Sequence, residues 1–228
     1  MEITRYKSNI IKKEYLNSDT ILLQLEKPKN YDFKPGQFLQ TIFPEGKRSY
    51  SIFSKPSDKT LNLCIKLFAG GLASEIFKRI EVGEKITISE TMGHFIITEE
   101  DVERTYCATG SGLAPIVSMI KTALEDYGHQ SRMYLIFGLR HEENIFYQEE
   151  IEKLAKKYDN FHFDITLSQP NENWQGMSGR ITAHLPEKVL NKKNNHFYLC
   201  GSPEMVKDVR KLLIENGMEV KNIKFEIF

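Results

Sequence analysis

The sequence predicts two domains of different fold classes, an all-β antiparallel domain over residues 1–100 and a parallel α/β domain over residues 101–228. Short apolar or alternating runs separated by turn residues fill the first hundred residues, a pattern typical of an antiparallel barrel or sandwich. After Glu99-Glu100-Asp101, strand-like and helix-like segments alternate with short connections, which indicates a parallel sheet wound with helices. We therefore place the domain boundary near residues 98–103.

Four strands and one short helix are predicted for the N-terminal domain. The strands cover residues 21–25, 38–42, 61–67 and 85–88, and the helix covers residues 73–80. Turn residues separate these segments, as in Lys34-Pro35-Gly36, Pro44-Glu45-Gly46 and Val82-Gly83-Glu84.

Four strands and three helices are predicted for the C-terminal domain. The strands cover residues 105–108, 133–137, 161–167 and 197–200, and the helices cover residues 116–127, 147–158 and 205–215. Helices placed between successive strands are typical of parallel sheets, because a crossover must return the chain to the same end.

The composition excludes several classes of protein. Lys and Arg together number 31, as do Asp and Glu, so the basic excess expected of a nucleic-acid binder is missing. No apolar run approaches membrane-spanning length, and Cys64, Cys107 and Cys200 are too far apart for a typical metal motif. We expect a monomeric, cytoplasmic protein with no metal site, no membrane insertion and no disulfide.

A glycine-rich turn follows the first predicted strand of the C-terminal domain. It reads Thr109-Gly110-Ser111-Gly112-Leu113-Ala114-Pro115 and leads into a helix. Glycines at the end of a parallel strand let backbone N–H groups approach a phosphate, and the helix start adds donors. Pro115 replaces the third glycine of the dinucleotide fingerprint, so an ordinary ligand-free turn is an equally good interpretation.

Two motifs in the N-terminal domain also suit a nucleotide. Arg48 and Tyr50 are two residues apart on a predicted strand and share a face, where a cation beside an aromatic ring suits a phosphate linked to a flat heterocycle. Gly70-Gly71 turns the chain before a helix that opens at Ala73-Ser74, which predicts a second anion site. A surface arginine beside a packed tyrosine, and a loop with a capping Ser74, are the alternatives.

Four motifs in order resemble those of the ferredoxin–NADP⁺ reductase superfamily over nearly the whole chain. They are Arg48-x-Tyr50-Ser51, Lys66-x4-Gly71-x2-Ser74, Thr109-Gly110-Ser111-Gly112-Leu113-Ala114-Pro115 and Cys200-Gly201-Ser202-Pro203-Glu204-Met205. The resemblance implies an N-terminal Greek-key β-barrel that holds FAD and a Rossmann-like α/β domain that holds NAD(P)H. It implies cofactor contacts from Arg48, Ser49, Tyr50, Ser51, Ile65, Lys66, Gly70, Gly71, Ala73, Ser74, Thr109, Gly110, Ser111, Gly112, Pro115, Arg140, Ser168, Gly201 and Phe228.

The resemblance also assigns roles around the FAD. Arg48 would neutralise the pyrophosphate, Tyr50 would lie against the isoalloxazine, and Ser51 would sit near flavin N5. Gly71 and Ser74 would add helix-start contacts to the same pyrophosphate.

On the nicotinamide side, the resemblance implies that Thr109, Gly110 and Gly112 hold the pyrophosphate and that Cys200 and Gly201 line the nicotinamide pocket. Arg140 would lie near a ribose or phosphate of the coenzyme. NADPH-specific relatives often carry arginine directly after the serine that matches Ser168. The sequence here is Ser168-Gln169, which favours NADH or mixed use over strict NADPH use, although Arg180 is an alternative cation for a 2′-phosphate.

The last residues, Lys224-Phe225-Glu226-Ile227-Phe228, resemble the family's Glu-x-aromatic ending. Phe228 would stack on the flavin, and Glu226 would be a polar or proton-relay partner at the nicotinamide site. An apolar strand that closes the sheet explains Phe225 and Ile227 equally well. Together with Ser51 and Cys200, Glu226 and Phe228 complete the predicted catalytic set.

The function implied by the resemblance is hydride transfer between NAD(P)H and FAD, with single electrons passed to a separate carrier. That carrier would be ferredoxin, flavodoxin or an oxygenase component, since the chain has no cysteine cluster of its own. Two alternatives remain open at this stage: a reductase of free flavin, and a non-catalytic flavin- or nicotinamide-binding regulatory subunit.

Overall fold

The structure, a computed structural model, describes residues 4–189 and 195–227. Its first half is an antiparallel sheet of six strands in the order β4-β3-β6-β1-β2-β5. These strands are β1 (Arg5–Asn17), β2 (Thr20–Glu26), β3 (Phe38–Phe43), β4 (Gly46–Ser51), β5 (Thr60–Lys66) and β6 (Lys85–Ser89), and helix α1 spans Leu72–Arg79. A bridge between Ile52 and Leu63 joins the two edges of this sheet and closes it towards a barrel.

The second half is a parallel sheet of six strands in the order β10-β9-β8-β7-β11-β12. Its strands are β7 (Arg104–Thr109), β8 (Met133–Leu139), β9 (Phe161–Leu167), β10 (Met177–Ser178), β11 (His196–Gly201) and β12 (Ile223–Ile227). Its helices are α2 (Leu113–Lys121), α3 (Gln148–Lys157), α4 (Ile181–Val189) and α5 (Pro203–Glu215). The predicted fold class, a β-barrel followed by a Rossmann-like α/β unit, is confirmed; the division at residues 100 and 101 stays a prediction.

Several elements differ from the sequence-based expectations. The helix predicted over residues 116–127 begins earlier, at Leu113, and changes to a π-helical turn at Thr122–Asp126. Strand β1 was not predicted because it pairs first with β6 and then with β2, and its register shifts after Ile10 interrupt the regular alternation. Helix α4 was not predicted because its sequence contains Pro186 and β-branched residues.

The barrel and the α/β unit pack directly against each other. Phe53 and Phe95 from the barrel half belong to the same buried apolar cluster as α2 and the inner face of the parallel sheet. The Ser118 hydroxyl donates to the carbonyl oxygen of Ser54 over 2.7 Å, in a buried position. This shared core fixes the orientation of the two sheets and therefore of the cleft between them.

Two classes of structure are missing from the described residues. None of the helices there combines the length and apolar character that crossing a membrane requires. Within residues 4–189 and 195–227, no three His, Cys, Asp or Glu side chains are arranged to hold a metal ion.

Candidate functional site

The glycine-rich turn lies where β7 meets α2, at the carboxyl end of the parallel sheet. Gly110–Gly112 forms a 3₁₀ turn between Thr109 and the first residue of α2. A Cβ on Gly112 would stand 2.3 Å from the carbonyl oxygen of Cys200, and a Cβ on Gly201 would stand 2.1 Å from Thr109 Oγ1. The backbones of the β7 and β11 turns therefore touch, and glycine is required at both positions for this close approach. A 3₁₀ turn that leads into a helix is a backbone arrangement that suits a phosphate.

A cleft of about 830 Å³ runs along the carboxyl ends of β7, β8 and β9 and reaches the barrel. It brings together five of the predicted cofactor residues, namely Lys66, Thr109, Gly110, Arg140 and Ser168. The other walls of the cleft include Arg180, considered above as an alternative cation, and Ser202 and Glu204 of the fourth family motif, whereas His141, Asn144 and Thr182 were not singled out in the sequence. His141, Asn144 and Thr182 were missed because α4 was not predicted and because no local pattern marks a residue that reaches a cleft from a neighbouring element.

A second predicted site lies on the barrel, beside α1. Arg48 lines a shallow recess together with Leu72 and Ala73 at the start of that helix. A guanidinium and a helix N-terminus side by side suit a pyrophosphate. Gly70 precedes the helix with φ of 71°. Ser49 is exposed on the same strand as Arg48.

The alternative prediction of Ser74 as the helix cap is wrong. Gly71 is the N-cap of α1, and Ser74 lies in the first turn, where its hydroxyl accepts a hydrogen bond from the Phe68 N–H over 2.8 Å. The Ser74 side chain therefore shapes the loop that carries Gly70 and Gly71.

Tyr50 is half-buried and packs edge-on against Phe77 of α1, with ring centroids 5.4 Å apart. Burial raises the pKa of Tyr50 to about 12, so the phenol stays neutral and can act as a flat, hydrogen-bonding wall. Ile65 is completely buried in the barrel core, so its predicted cofactor contact is limited to its backbone. Pro115 is buried in the first turn of α2, whereas Ser111 is half-buried.

Two buried polar atoms lack partners on the barrel strand β4 and on β12. Ser51 Oγ and Glu226 Oε2 have no hydrogen-bond partner among the described residues. A buried polar atom without a partner costs free energy, so both atoms fit a site completed by a ligand. A Cβ on Gly93, in the segment that leaves the barrel, would lie 3.7 Å from Glu226 Oε1, which places this carboxyl next to the barrel.

Cys200 and Glu226 are paired across the β11–β12 ladder. The Cys200 thiol is buried in the core cluster, and burial raises its pKa well above the usual range. A neutral thiol can line an apolar pocket but is no nucleophile at neutral pH. Phe228, predicted to stack on the flavin, lies outside the described residues.

Burial also raises the pKa of Glu226, from 4.5 to about 7. The folded protein therefore binds a proton at Glu226 more tightly than the unfolded chain, and this stabilising contribution, complete below pH 4.5, is lost as the pH rises through 7.

We expect the parent protein to lose about 2 kcal/mol of unfolding free energy from this group between pH 5 and pH 8, after an allowance for solvent screening, whereas Glu226→Gln should not show this loss. Urea unfolding at a series of pH values measures this difference. The exposed carboxyl of Glu219 is the control, and an equally flat profile for Glu219→Gln and Glu226→Gln would contradict the prediction.

Comparisons with known proteins match both halves of the chain. Residues 7–97 match the oxidoreductase FAD-binding domain family, and residues 107–211 match the oxidoreductase NAD-binding domain family. Ferredoxin–NADP reductase B of Sorangium cellulosum (strain So ce56) is 32% identical over 213 residues, covering 87% of this chain and 86% of that protein. The anthranilate 1,2-dioxygenase electron transfer component of Acinetobacter baylyi (strain ATCC 33305 / BD413 / ADP1) is 29% identical over 94% of this chain, which spans only 64% of that relative's length.

Solved structures share the fold. A ferredoxin NADP⁺ reductase from Neisseria gonorrhoeae with bound FAD and NADP superimposes with a TM-score of 0.87 at 24% identity, covering 99% of each chain. A cytochrome P450 reductase from Amycolatopsis superimposes with a TM-score of 0.91 at 23% identity, covering 99% of this chain and 70% of that one. At these identities the likeness shows the architecture of a β-barrel joined to a parallel α/β unit.

Proposed function

Because the chain belongs to the ferredoxin–NADP⁺ reductase superfamily and has FAD-binding and NAD-binding domains, we propose that it transfers hydride between NAD(P)H and FAD and passes single electrons to a separate carrier protein. The observation that carries this proposal is a continuous cleft that extends from Lys66 on the barrel to the Thr109-Gly110 turn. A coenzyme bound along that turn would reach the barrel with its other end. Two cofactors are thus expected to meet where Ser51 and Glu226 hold unpartnered polar atoms.

Residues of this chain would hold the two cofactors through charge and main-chain donors. Arg48 and the N-terminus of α1 would bind the FAD pyrophosphate, and the Gly110–Gly112 turn would bind that of NAD(P)H. When bound, FAD supplies a group that takes two electrons together and releases them singly. Ser51 would offer a hydroxyl to the flavin edge, and Glu226, protonated up to about pH 7, would hold a proton beside the nicotinamide site.

The relatives support a protein carrier as the electron acceptor. One is a ferredoxin–NADP reductase and another is the electron transfer component of a dioxygenase. We propose a ferredoxin, a flavodoxin or an oxygenase component as the partner of this chain, with NADH or both coenzymes as the electron source.

Purification of the protein followed by electron-transfer assays tests this function. A yellow protein that keeps one FAD per chain through gel filtration, and that reduces cytochrome c with NAD(P)H only when ferredoxin or flavodoxin is added, supports the proposal. A colourless protein that turns over only with added flavin would instead indicate a free-flavin reductase. A bound flavin that neither NADH nor NADPH bleaches would indicate a regulatory subunit.

Arg48→Ala is expected to weaken FAD binding about 50-fold, because a charge-assisted contact to phosphate is lost. Fluorescence titration of the flavin-free protein with FAD measures the dissociation constant. Lys47→Ala removes a neighbouring exposed cation that strand alternation directs to the opposite face, and it should change the constant less than twofold. Equal effects of the two variants would remove Arg48 from the FAD site.

A further inference from the structure

The topology of the parallel sheet gives the cleft a direction. The β7 turn, with its main-chain donors, lies between β11 on one side and β8 and β9 on the other. Glu226 lies on β12 with its carboxyl next to Gly93, so a nicotinamide that meets the flavin beside this carboxyl would extend to the β11–β12 side. The adenosine half of the coenzyme must then extend along β8 and β9, towards Arg140, Ser168 and Arg180.

Arg180 occupies a fixed position at this end of the cleft. The N–H of the preceding Gly179 donates to the Leu167 carbonyl oxygen over 2.8 Å, and the Thr166 hydroxyl donates to the Gly179 carbonyl oxygen, also over 2.8 Å. The carbonyl oxygen of Arg180 accepts the first hydrogen bond of α4, from Ala183. These hydrogen bonds fix the backbone of Arg180 at the end of β9. Its side chain is exposed and can therefore change conformation.

The Arg180 side chain pairs with Asp208 on α5. Nη1 of Arg180 lies 3.7 Å from Asp208 Oδ2, and both side chains line the cleft. Glu204, one turn earlier on α5, lines the same wall. The two carboxylates balance the charges of Arg180 and Arg140, whereas Lys66, at the barrel end of the cleft, pairs with Asp19.

We propose that Asp208 determines the coenzyme preference of this protein by neutralising Arg180 and disfavouring a 2′-phosphate at the adenosine end of the cleft. The inference rests on the proposed function, since it requires a nicotinamide coenzyme in this cleft. A 2′-phosphate brings nearly two negative charges to a site where one of the two arginines, Arg180, is already paired and where the carboxylates of Asp208 and Glu204 line the same wall. The 2′-hydroxyl of NADH, in contrast, can donate a hydrogen bond to the Asp208 carboxylate.

Equilibrium binding of two coenzyme fragments to the FAD-loaded protein tests this role. The fragments are ADP-ribose and 2′-phospho-ADP-ribose, and isothermal titration calorimetry gives each dissociation constant without any turnover. We expect Asp208→Asn to tighten binding of 2′-phospho-ADP-ribose about five- to tenfold and to weaken binding of ADP-ribose less than threefold. Added Arg180→Gln should cancel the gain, and salt should reduce it because the pair is exposed.

The matched control is Glu215→Gln, which removes another exposed carboxylate of α5 that pairs with Lys211 outside the cleft. It should leave both constants within twofold of the parent values. If Asp208→Asn changes the ratio of the two constants no more than Glu215→Gln does, the inference is overturned. If neither fragment binds the parent protein, the nicotinamide part of the proposed function itself fails, and the inference fails with it.

Discussion

Replacement of Arg104 by alanine is expected to lower the free energy of unfolding by about 4 kcal/mol, the largest effect of any single change considered for this protein. Arg104 opens β7, yet its side chain is only 1% exposed. Its guanidinium donates hydrogen bonds to the carbonyl oxygens of Thr98, Glu100 and Val102. These bonds hold the segment that joins the two sheets in place. Alanine would leave these acceptors without their donor and open a cavity beneath them.

The same guanidinium determines the tautomer of a buried histidine, His129. Arg104 Nη1 lies 2.9 Å from His129 Nδ1, and His129 Nε2 lies 2.9 Å from the Glu99 carbonyl oxygen. Because a guanidinium can only donate, Nδ1 must accept, so the proton of a neutral imidazole is on Nε2 and points at Glu99. The connecting segment is thus bound to Arg104 both directly and through His129.

Urea unfolding of three variants measures this effect. Arg132→Ala, at an exposed position just before β8, should cost less than about 0.5 kcal/mol. Arg104→Lys keeps the charge but loses the planar guanidinium with its several donors. Its loss of unfolding free energy should therefore be about half of that of Arg104→Ala. A loss below 1 kcal/mol for Arg104→Ala would contradict the prediction, whereas failure to recover folded protein would agree with a large loss.

Replacement of Gly112 by alanine is expected to cost about 3 kcal/mol of stability and to weaken NAD(P)H binding more than tenfold. Its φ of −60° suits any residue, so backbone strain is not the cause. The added methyl would stand 2.3 Å from the Cys200 carbonyl oxygen and 2.7 Å from the Gly201 nitrogen, and neither atom can move without shifting β11. The Gly110–Gly112 turn and the Cys200–Gly201 backbone must therefore separate.

Gly110→Ala is the matched control in the same turn. Gly110 has φ of 53°, but a Cβ there would have no neighbour within 4 Å. The cost should be limited to the strain of a left-handed residue, about 1 kcal/mol. Thermal melts and coenzyme titrations of the two variants separate the steric effect from the conformational one. Similar losses for both would show that the contact with β11 is unimportant.

Local patterns in the sequence were sufficient for much of the fold and for the glycine-rich turn at the end of β7. Strand β9 was predicted with the bounds found in the structure, residues 161–167, because apolar residues and turn signals coincide there. The turn at Gly110–Gly112 was visible because glycine permits backbone conformations and close approaches that other residues do not. Strand β1 was missed because its pairing, divided between two partners, leaves no single face to produce alternation.

The sequence by itself determined most of the strands and helices and their order, the two glycine turns and the family motifs, since each depends on neighbouring residues and their backbone preferences. Only the tertiary structure decided which of these segments meet. The sheet order places β11 between β7 and β12, which brings Gly201 against Thr109 and pairs Cys200 with Glu226. The packing of α4 against α5 likewise brings Arg180 to Asp208, and the fold separately buries Arg104 beside His129 at the start of β7. Such contacts join residues far apart in the chain. Burial and charge pairing depend on the arrangement of the strands, and local sequence patterns do not encode that arrangement.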